Sequence, residues 1–398
     1  EDERENLKKQ SHTAKRIYAR LVAEKGFTGG ESTVRRKVRE MKGSQPQVFV
    51  PLAFSPGEAI QVDWGEGTVY LHDKRVTIKL FCSRLCSSCA PIVFAYRRQN
   101  EESFLEAFVR TFRFFGGVPE KVIFDNGKVA VKDGFGAHAK KQAGYTALSA
   151  HYGFDALFCN PAEGHEKGLV EGLVGWARRN ILVPVPRINS LGELNSLLEQ
   201  RCLEYRSHHI TGKPASVGEM FEKERVSLRT LPGYEFETAK CSSVRVNSFS
   251  TARFDTNDYS VPVSYCGSNV SVKGYAEKVD IYCKGQLIAS HERCFKRHKP
   301  IYKLEHYLPI LEYRGRAVFN AAPVRQNLPP EFLDWLKIHS ADHKELMQLL
   351  WDCADRGWEN VWKSNVSITK KPVIADIVPV SPVNLEKYDL LAGRRVGA

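Results

Sequence analysis

The sequence predicts a multidomain chain: an all-α module, a mixed α/β domain, a small all-β module and a helical tail. Three observations lead there. At 398 residues with 42% hydrophobic content, the chain has material for two to four packed cores. Its hydrophobic period changes along its length, from helical before Gly43, to strands broken by a helix up to about residue 210, to short alternating runs from Tyr234, and back to helical from Pro330. Breaks rich in proline and glycine separate these textures: Pro46, Pro51 and Pro56 mark an extended linker, and Pro232-Gly233 a boundary. The expected modules are therefore 1–43, a linker over 44–57, an α/β domain over 58–210, a helical connector over 211–233, a small β-barrel over 234–304, and a tail of helical and extended sequence over 305–398.

From His12 to Gly43 the sequence reads as helix, turn, helix. Thr13–Lys25 carries Ile17, Leu21 and Val22 at helical spacing, Gly26–Gly30 interrupts, and Glu31–Met41 resumes. Nine lysines and arginines between Lys15 and Lys42 outnumber Glu24, Glu31 and Glu40, as a surface lying along phosphates requires. With Val34 and Val38 turned to a core, Ser32, Thr33, Arg35, Arg36 and Arg39 would face a major groove. A solvated basic hairpin is the plainer alternative.

In the α/β domain Ile60 and Val62 alternate with Gln61 and Asp63, which puts Asp63 opposite the apolar pair at the end of a strand. Val76–Cys82 and Ala90–Tyr96 are β-rich. Phe104, Phe108 and Phe112 recur at helical spacing within Ser103–Phe115. Lys121–Asp125 is a short apolar strand cut off by Asn126-Gly127, so Asp125 stands at a strand end. One more strand, Asp155–Cys159, a turn at Asn160-Pro161 and a glycine-broken segment lead to a helix over Val170–Leu182, with Glu171 in its first turns. Taken singly, Asp125 reads equally as an Asx turn, and Glu171 as a solvated carboxylate near a helix N-terminus. Together the three acids form a set of oxygen ligands suited to Mg²⁺ or Mn²⁺. In a basic protein such ions would face DNA phosphates.

After this domain, Ser190–Ser207 has an amphipathic helical pattern. Short alternating runs over Ser243–Asn247, Asp258–Val263, Val270–Val272, Lys278–Cys283 and Gln286–His291 predict the β-barrel. The tail holds two helical candidates, Pro330–Ile338 and Asp342–Trp351, then Pro- and Val-rich sequence with a short amphipathic stretch at Leu385–Leu391.

The succession around Asp63, Asp125 and Glu171 resembles the ribonuclease H-like polynucleotidyl transferases, in particular the D-D-E transposases and retroviral integrases, and Arg178 stands where that family often has a basic residue. The interval from Asp125 to Glu171 is longer than is usual in integrases; an insertion around Lys132–Gln142 would absorb it. Closer still is the resemblance to the IstA-type transposases of bacterial insertion sequences. It rests on the blocks Asp125-Asn-Gly-Lys-Val-Ala-Val131, Asn160-Pro-Ala-Glu163, Lys167-Gly-Leu-Val-Glu171 and Tyr259-Ser-Val-Pro262, which stretch over most of the chain. Glu163 and Glu166 are rival third acids; Glu171 is preferred for its lead Gly168-Leu-Val and for Arg178 downstream. His165 ranks below Lys167 and Arg178 as a phosphate contact.

The resemblance implies two-metal phosphoryl transfer in which Asp63 bridges two Mg²⁺ ions about 3.5–4 Å apart, with Mn²⁺ as substitute, and Asp125 and Glu171 each hold one. It implies cleavage that frees 3′ hydroxyls at the element ends and joining of those ends to target DNA. It also implies a dimer or tetramer, a further DNA-binding module upstream of residue 1, and an AAA+ ATPase helper of the IstB type. No Gly-x-x-x-x-Gly-Lys-Ser/Thr loop occurs in the chain, so ATP use would be supplied in trans. The competing readings are a nuclease that cuts without joining and an architectural DNA-binding protein.

The balance of 58 Lys and Arg against 46 Asp and Glu gives a net charge of +12, which favours a polyanionic partner through counterion release. No stretch of about eighteen uncharged apolar residues occurs, and Glu-Asp-Glu-Arg-Glu at the start lacks a signal-peptide core. The expectation is a protein of the bacterial cytoplasm, associated with the nucleoid. Ten scattered cysteines do not form a secreted framework. Cys82, Cys86 and Cys89 lack a nearby fourth ligand for tetrahedral zinc.

Overall fold

A computed structural model describes residues 14–41, 53–124, 131–133, 140–141, 143–158 and 168–366. The chain divides into two compact units, one of residues 1–95 and 110–234, the other of residues 96–109 and 235–398.

The first unit opens with helices α1 (Ala14–Lys25) and α2 (Glu31–Met41), which pack on each other. Gly26, at φ +61°, ends α1 in the left-handed conformation glycine adopts without strain. The Gly26 and Phe27 amides then bond back to the Val22 and Leu21 carbonyls. On α2, Val34 is buried and Val38 half-buried, whereas Ser32, Thr33, Arg35, Arg36 and Arg39 are exposed, the division the sequence pattern predicts.

The α/β portion is built on one sheet. Strand β1 (Ala59–Leu71) pairs antiparallel with β2 (Lys74–Leu85) along its length, from Ile60 opposite Leu85 to Leu71 opposite Lys74. The hairpin closes through His72 and Asp73, both at positive φ, the two-residue geometry that matches strand twist. With β3 (Pro91–Tyr96), β4 (Lys121–Phe124) and β7 (Asp155–Phe158) the spatial order is β3-β2-β1-β4-β7. Strands β1, β4 and β7 run parallel. Two short strands, β5 (Val131–Asp133) and β6 (Lys140–Lys141), pair apart from this sheet, and β8 (Arg187–Ile188) pairs with the far end of β1.

The next helices in chain order are α3 (Glu101–Phe115), whose first nine residues belong to the second unit, α4 (Ala143–Tyr152), α5 (Gly168–Asn180), α6 (Leu191–Glu204) and α7 (Val217–Arg225). Phe104, Phe108 and Phe112 of α3 are all buried. Helix α7 begins in a capping box between Ser216 and Glu219, which satisfies two otherwise orphaned N–H donors. Near its end, the carboxylate of Glu224 is 1% exposed. It accepts the Gly57 amide at 3.2 Å and the Ser88 amide at 2.8 Å, so a buried charge is compensated by backbone donors. Asn195 of α6 pairs with both backbone groups of Ala95, accepting at 2.6 Å and donating at 3.0 Å, as a further strand would. Cys82, Cys86 and Cys89 are buried thiols, and burial raises the pKa of each.

The second unit departs from the expected closed barrel. Strands β9 (Lys240–Arg245), β12 (Asn269–Gly274), β13 (Lys278–Cys283) and β14 (Gln286–Glu292) form one sheet in the order β14-β13-β12-β9. Strands β10 (Thr251–Phe254), β11 (Asn257–Ser260) and β15 (Pro300–Ile301) form a second. Val246, Phe254, Tyr259, Val270 and Ile281 contribute to one core between them. Closure fails for a local reason: Pro262 follows β11, lacks the N–H a ladder needs, and leads into a 3₁₀ turn over Val263–Tyr265.

The tail is more extensively folded than its two predicted helices. Helices α8 (Leu308–Leu311), α9 (Ala322–Asn327), α10 (Pro330–His339), α11 (His343–Arg356) and α12 (Trp358–Val366) close around Leu308, Phe332, Leu336 and Leu350. Leu385–Leu391 lies outside the described residues. Among the described residues no helix is long and apolar enough to cross a membrane.

Two buried histidines join the β-sheets to the 3₁₀ turn Leu304–His306. His291 Nε2 lies 2.7 Å from the Ser260 carbonyl, and Ser260 Oγ lies 2.7 Å from His306 Nδ1 while accepting the Lys303 amide at 2.9 Å. Burial is the first cause that pushes both rings down to about 4, and His291 adds to it for His306. Because the unfolded chain binds these protons near the ordinary histidine value, their contribution is present above about pH 6.5 and is lost as pH falls toward 4. Glu277, which burial pushes up to about 7 despite its ion pair with Arg97, acts with opposite sign, since its contribution is lost as pH rises from about 4.5 to 7. A shift of this size amounts to about 3 kcal/mol per group, and the two histidines outweigh the one carboxyl. Urea unfolding at stepped pH should therefore show stability rising between pH 4.5 and 6.5, and rising more steeply in Glu277→Gln. A flat profile in that variant would refute the assignment.

Candidate active site

Asp63 sits fifth in the 13-residue strand β1, not at its end as the sequence suggested. Among the described residues, strand β4 accompanies β1 from Ala59 to Val62, where Val62 pairs with Phe124. On that side, the next described strand partner of β1 is β8 at Tyr70 and Leu71. Asp63 thus follows directly the last described pair of the parallel β1–β4 ladder, level with the carboxyl end of the described part of β4, and open α/β sheets hold ligands at the carboxyl ends of parallel strands. Asp125, the residue after Phe124, lies outside the described residues, as do Glu163, His165, Glu166 and Lys167.

Helix α5 packs on β1 and β2. Side chains two apart in a strand share a face, so Asp63, Gly65 and Gly67 form one row. A Cβ at Gly65 would stand 2.4 Å from Val174 Cγ1, and one at Gly67 would stand 2.4 Å from Leu182 Cδ1. Only glycine permits this approach. Read together, the two contacts also set the direction of α5: from Gly67 toward Asp63 along the strand is from Leu182 toward the helix start. Glu171 is three residues, about 4.5 Å of helix rise, before Val174. Asp63 is two residues, about 6.6 Å of strand, before Gly65. The backbone of Glu171 therefore lies on the Asp63 side of Val174; its side chain lies outside the described residues.

Asp63 is half-buried, and its Oδ1 accepts the Trp64 amide at 2.8 Å. Across the hairpin it faces Cys82, whose thiol is raised first by burial and then by the Asp63 charge. Trp64 points the other way and meets Phe81 edge-on at 5.3 Å. Arg178 is exposed, and its Nε donates to the Glu66 carbonyl at 2.6 Å. It therefore ties α5 to β1, a role the sequence pattern did not reveal. Glu66 pairs with Lys79 across the hairpin, which lowers its pKa. Among the described residues no three His, Cys, Asp or Glu side chains gather as a metal site. Asp125 and the Glu171 side chain lie outside those residues.

Sequence reasoning missed Gly65 and Gly67, although the signal was present. Alternating glycines in a strand mark a close approach of another element.

Comparison with known proteins adds four findings. The family model described as Mu transposase, C-terminal domain, matches residues 231–303, the span of the two small sheets. The transposase for insertion sequences IS1326/IS1353 of Pseudomonas aeruginosa is 35% identical over 348 residues, 83% of this chain and 68% of the relative. The transposase for insertion sequence element IS21 of the same organism is 30% identical over 297 residues, 74% of this chain and 76% of the relative. Among solved structures, the HTLV-2 integrase catalytic core domain in complex with magnesium is 14% identical, with a TM-score of 0.32 over 43% of this chain and 99% of that one. With more than two thirds of an IS1326/IS1353 transposase matched at this identity, the chain belongs to the family of bacterial insertion-sequence transposases.

Proposed function

We propose that the chain cleaves insertion-sequence ends and joins them to target DNA at a site formed by Asp63, Asp125 and Glu171 within a ribonuclease H-like domain. One observation carries the reading. Asp63 stands one residue beyond the Val62–Phe124 pair of β1 and β4, beneath the helix that bears Glu171, and Asp125 directly follows Phe124 in sequence. The donor set fits Mg²⁺ or Mn²⁺, being all carboxylate, with Asp63 half-buried among packed elements. Bound there, divalent cations would acidify the attacking hydroxyl and offset charge on the leaving oxygen.

The residues divide the remaining work. Asp63, Asp125 and Glu171 hold the ions. Arg178 keeps α5 against β1 and, being exposed, presents its remaining N–H donors to a phosphate, with Lys167 beside it in sequence. Ser32, Thr33, Arg35, Arg36 and Arg39 lie along a groove of the element end, making α1 and α2 a helix-turn-helix. Water attacks the phosphorus at the element end and the P–O bond to the freed 3′ oxygen breaks. That 3′ hydroxyl then attacks a target phosphate, forming one P–O bond as another breaks, so no ATP is consumed. Two ends must be joined together, which calls for a dimer or tetramer on the bacterial chromosome. An AAA+ helper of the IstB type would supply any ATP-dependent control.

The test is Mg²⁺-dependent joining of labelled element-end DNA to a plasmid. Wild type should give joined products, while Asp125→Asn and Glu171→Gln retain DNA binding and give none. Cutting without joining would favour a nuclease. An inactive Glu166→Gln beside an active Glu171→Gln would move the third acid.

A further inference from the structure

A cleft of about 480 Å³ opens in the first unit, at the edge of the sheet formed by β3. Strand β2 separates it from the strand that carries Asp63, and nothing in the proposed chemistry uses it. The exposed Leu203 and half-buried Phe114 supply its apolar surface, while Phe94 lies buried beneath Arg110; Arg110, Arg113 and Arg206 supply its charge. The volume is that of a pocket for a small ligand or a few side chains.

Two of the guanidinium groups are already fixed. Arg110 lies over the Phe94 ring at 4.0 Å, and Arg206 lies over Phe221 at 4.1 Å and Phe114 at 5.3 Å. Stacking of this kind orients the planar group and leaves its edge N–H donors for a partner. Among the described residues neither Arg110 nor Arg206 makes an ion pair. Partial burial lowers the pKa of Arg206, so its charge is incompletely solvated and would gain from a bidentate carboxylate or phosphate.

We propose that this cleft docks an acidic segment of a partner protein, in which carboxylates flank one apolar side chain. The lining decides between protein and nucleic acid. Glu199 also lines the cleft, and a fixed carboxylate opposes a continuous row of phosphates but tolerates spaced side chains. The exposed apolar surface of Leu203 and Phe114 would lie unused beneath a sugar-phosphate backbone, whereas a leucine or phenylalanine side chain would cover it. Three arginines against one glutamate leave the cleft net positive, so its peptide must be acidic.

The experiment uses the full chain and a phage-displayed library of random dodecapeptides, selected on wild type after depletion on Arg110→Ser/Arg206→Ser. Selected peptides and a labelled DNA duplex are then titrated by fluorescence anisotropy at about 0.15 M salt. The peptides should be acidic around an apolar residue and bind wild type at least about tenfold more tightly than the double variant. Duplex affinity should be unchanged. Glu199→Gln should tighten peptide binding about threefold by removing a like charge, a gain that misfolding cannot imitate. Failure to enrich acidic peptides, equal binding to the double variant, or no gain in Glu199→Gln would overturn the proposal. A matching loss of duplex affinity in the double variant would reassign the cleft to nucleic acid.

Discussion

Asp63→Asn is expected to lower strand joining by about 10³-fold or more while leaving the protein folded. A carboxylate that helps hold catalytic cations contributes several kcal/mol to transition-state charge stabilisation, and each 1.36 kcal/mol is a factor of ten in rate. Asparagine keeps the shape and supplies an oxygen that still accepts the Trp64 amide, now bonded at 2.8 Å, so thermal stability should change little. Joining rates with labelled end DNA, measured beside a melting curve, check both halves. Near-normal joining in a normally folded variant would remove Asp63 from the chemistry.

Gly65→Ala should damage stability and joining together, by a route that never touches the acids. The new methyl group would stand 2.4 Å from Val174 Cγ1 and 3.5 Å from Val174 Cβ, so α5 must lift from β1 or Val174 must find another rotamer. Overpacking of this kind costs about 1–3 kcal/mol. In a domain of this size it lowers the melting temperature by about 2–8 °C. Because α5 bears Glu171, joining should fall further than the stability loss explains. Val174→Ala removes the methyl group responsible, so the double variant should be more stable than the two single losses added together, with a coupling of about 1 kcal/mol. Strict additivity would show that the contact between Gly65 and Val174 does not hold the helix in place.

The fold was legible where a single segment carries its own pattern. Val34 and Val38 marked the inner face of α2, the phenylalanines of Ser103–Phe115 marked a buried helix, and the succession from β1 to β4 followed from period, whereas α4 (Ala143–Tyr152) and the short strands β5, β6 and β8 did not. Asp63 was assigned to its strand correctly but to the wrong place in it. Glycine weakens strands, yet β1 runs through Gly65 and Gly67 to Leu71, and its glycines answer to α5, a partner about a hundred residues away. The barrel was overdrawn for a similar reason: alternation predicts strands but not which edges meet. Nor could local pattern show that residues 96–109 cluster with the second unit, where Arg97 pairs with Glu277 and Glu102 with Arg293. Such long-range pairs leave no periodic trace. For the candidate site, the resemblance named three acids, and the packing of α5 on the Asp63 face of β1 gives a physical reason for Asp63.

The central claim is that Asp63, Asp125 and Glu171 share bound cations, and metal-directed backbone cleavage tests it without relying on turnover. Fe²⁺ substituted for Mg²⁺ in the full-length protein with end DNA, then treated with ascorbate and peroxide, cuts the chain beside the bound ion. The account predicts cuts clustered near residues 63, 125 and 171, suppressed by excess Mg²⁺ and absent in Asp63→Asn. Cuts that leave out the region of residue 171, or that persist in Asp63→Asn, would contradict it.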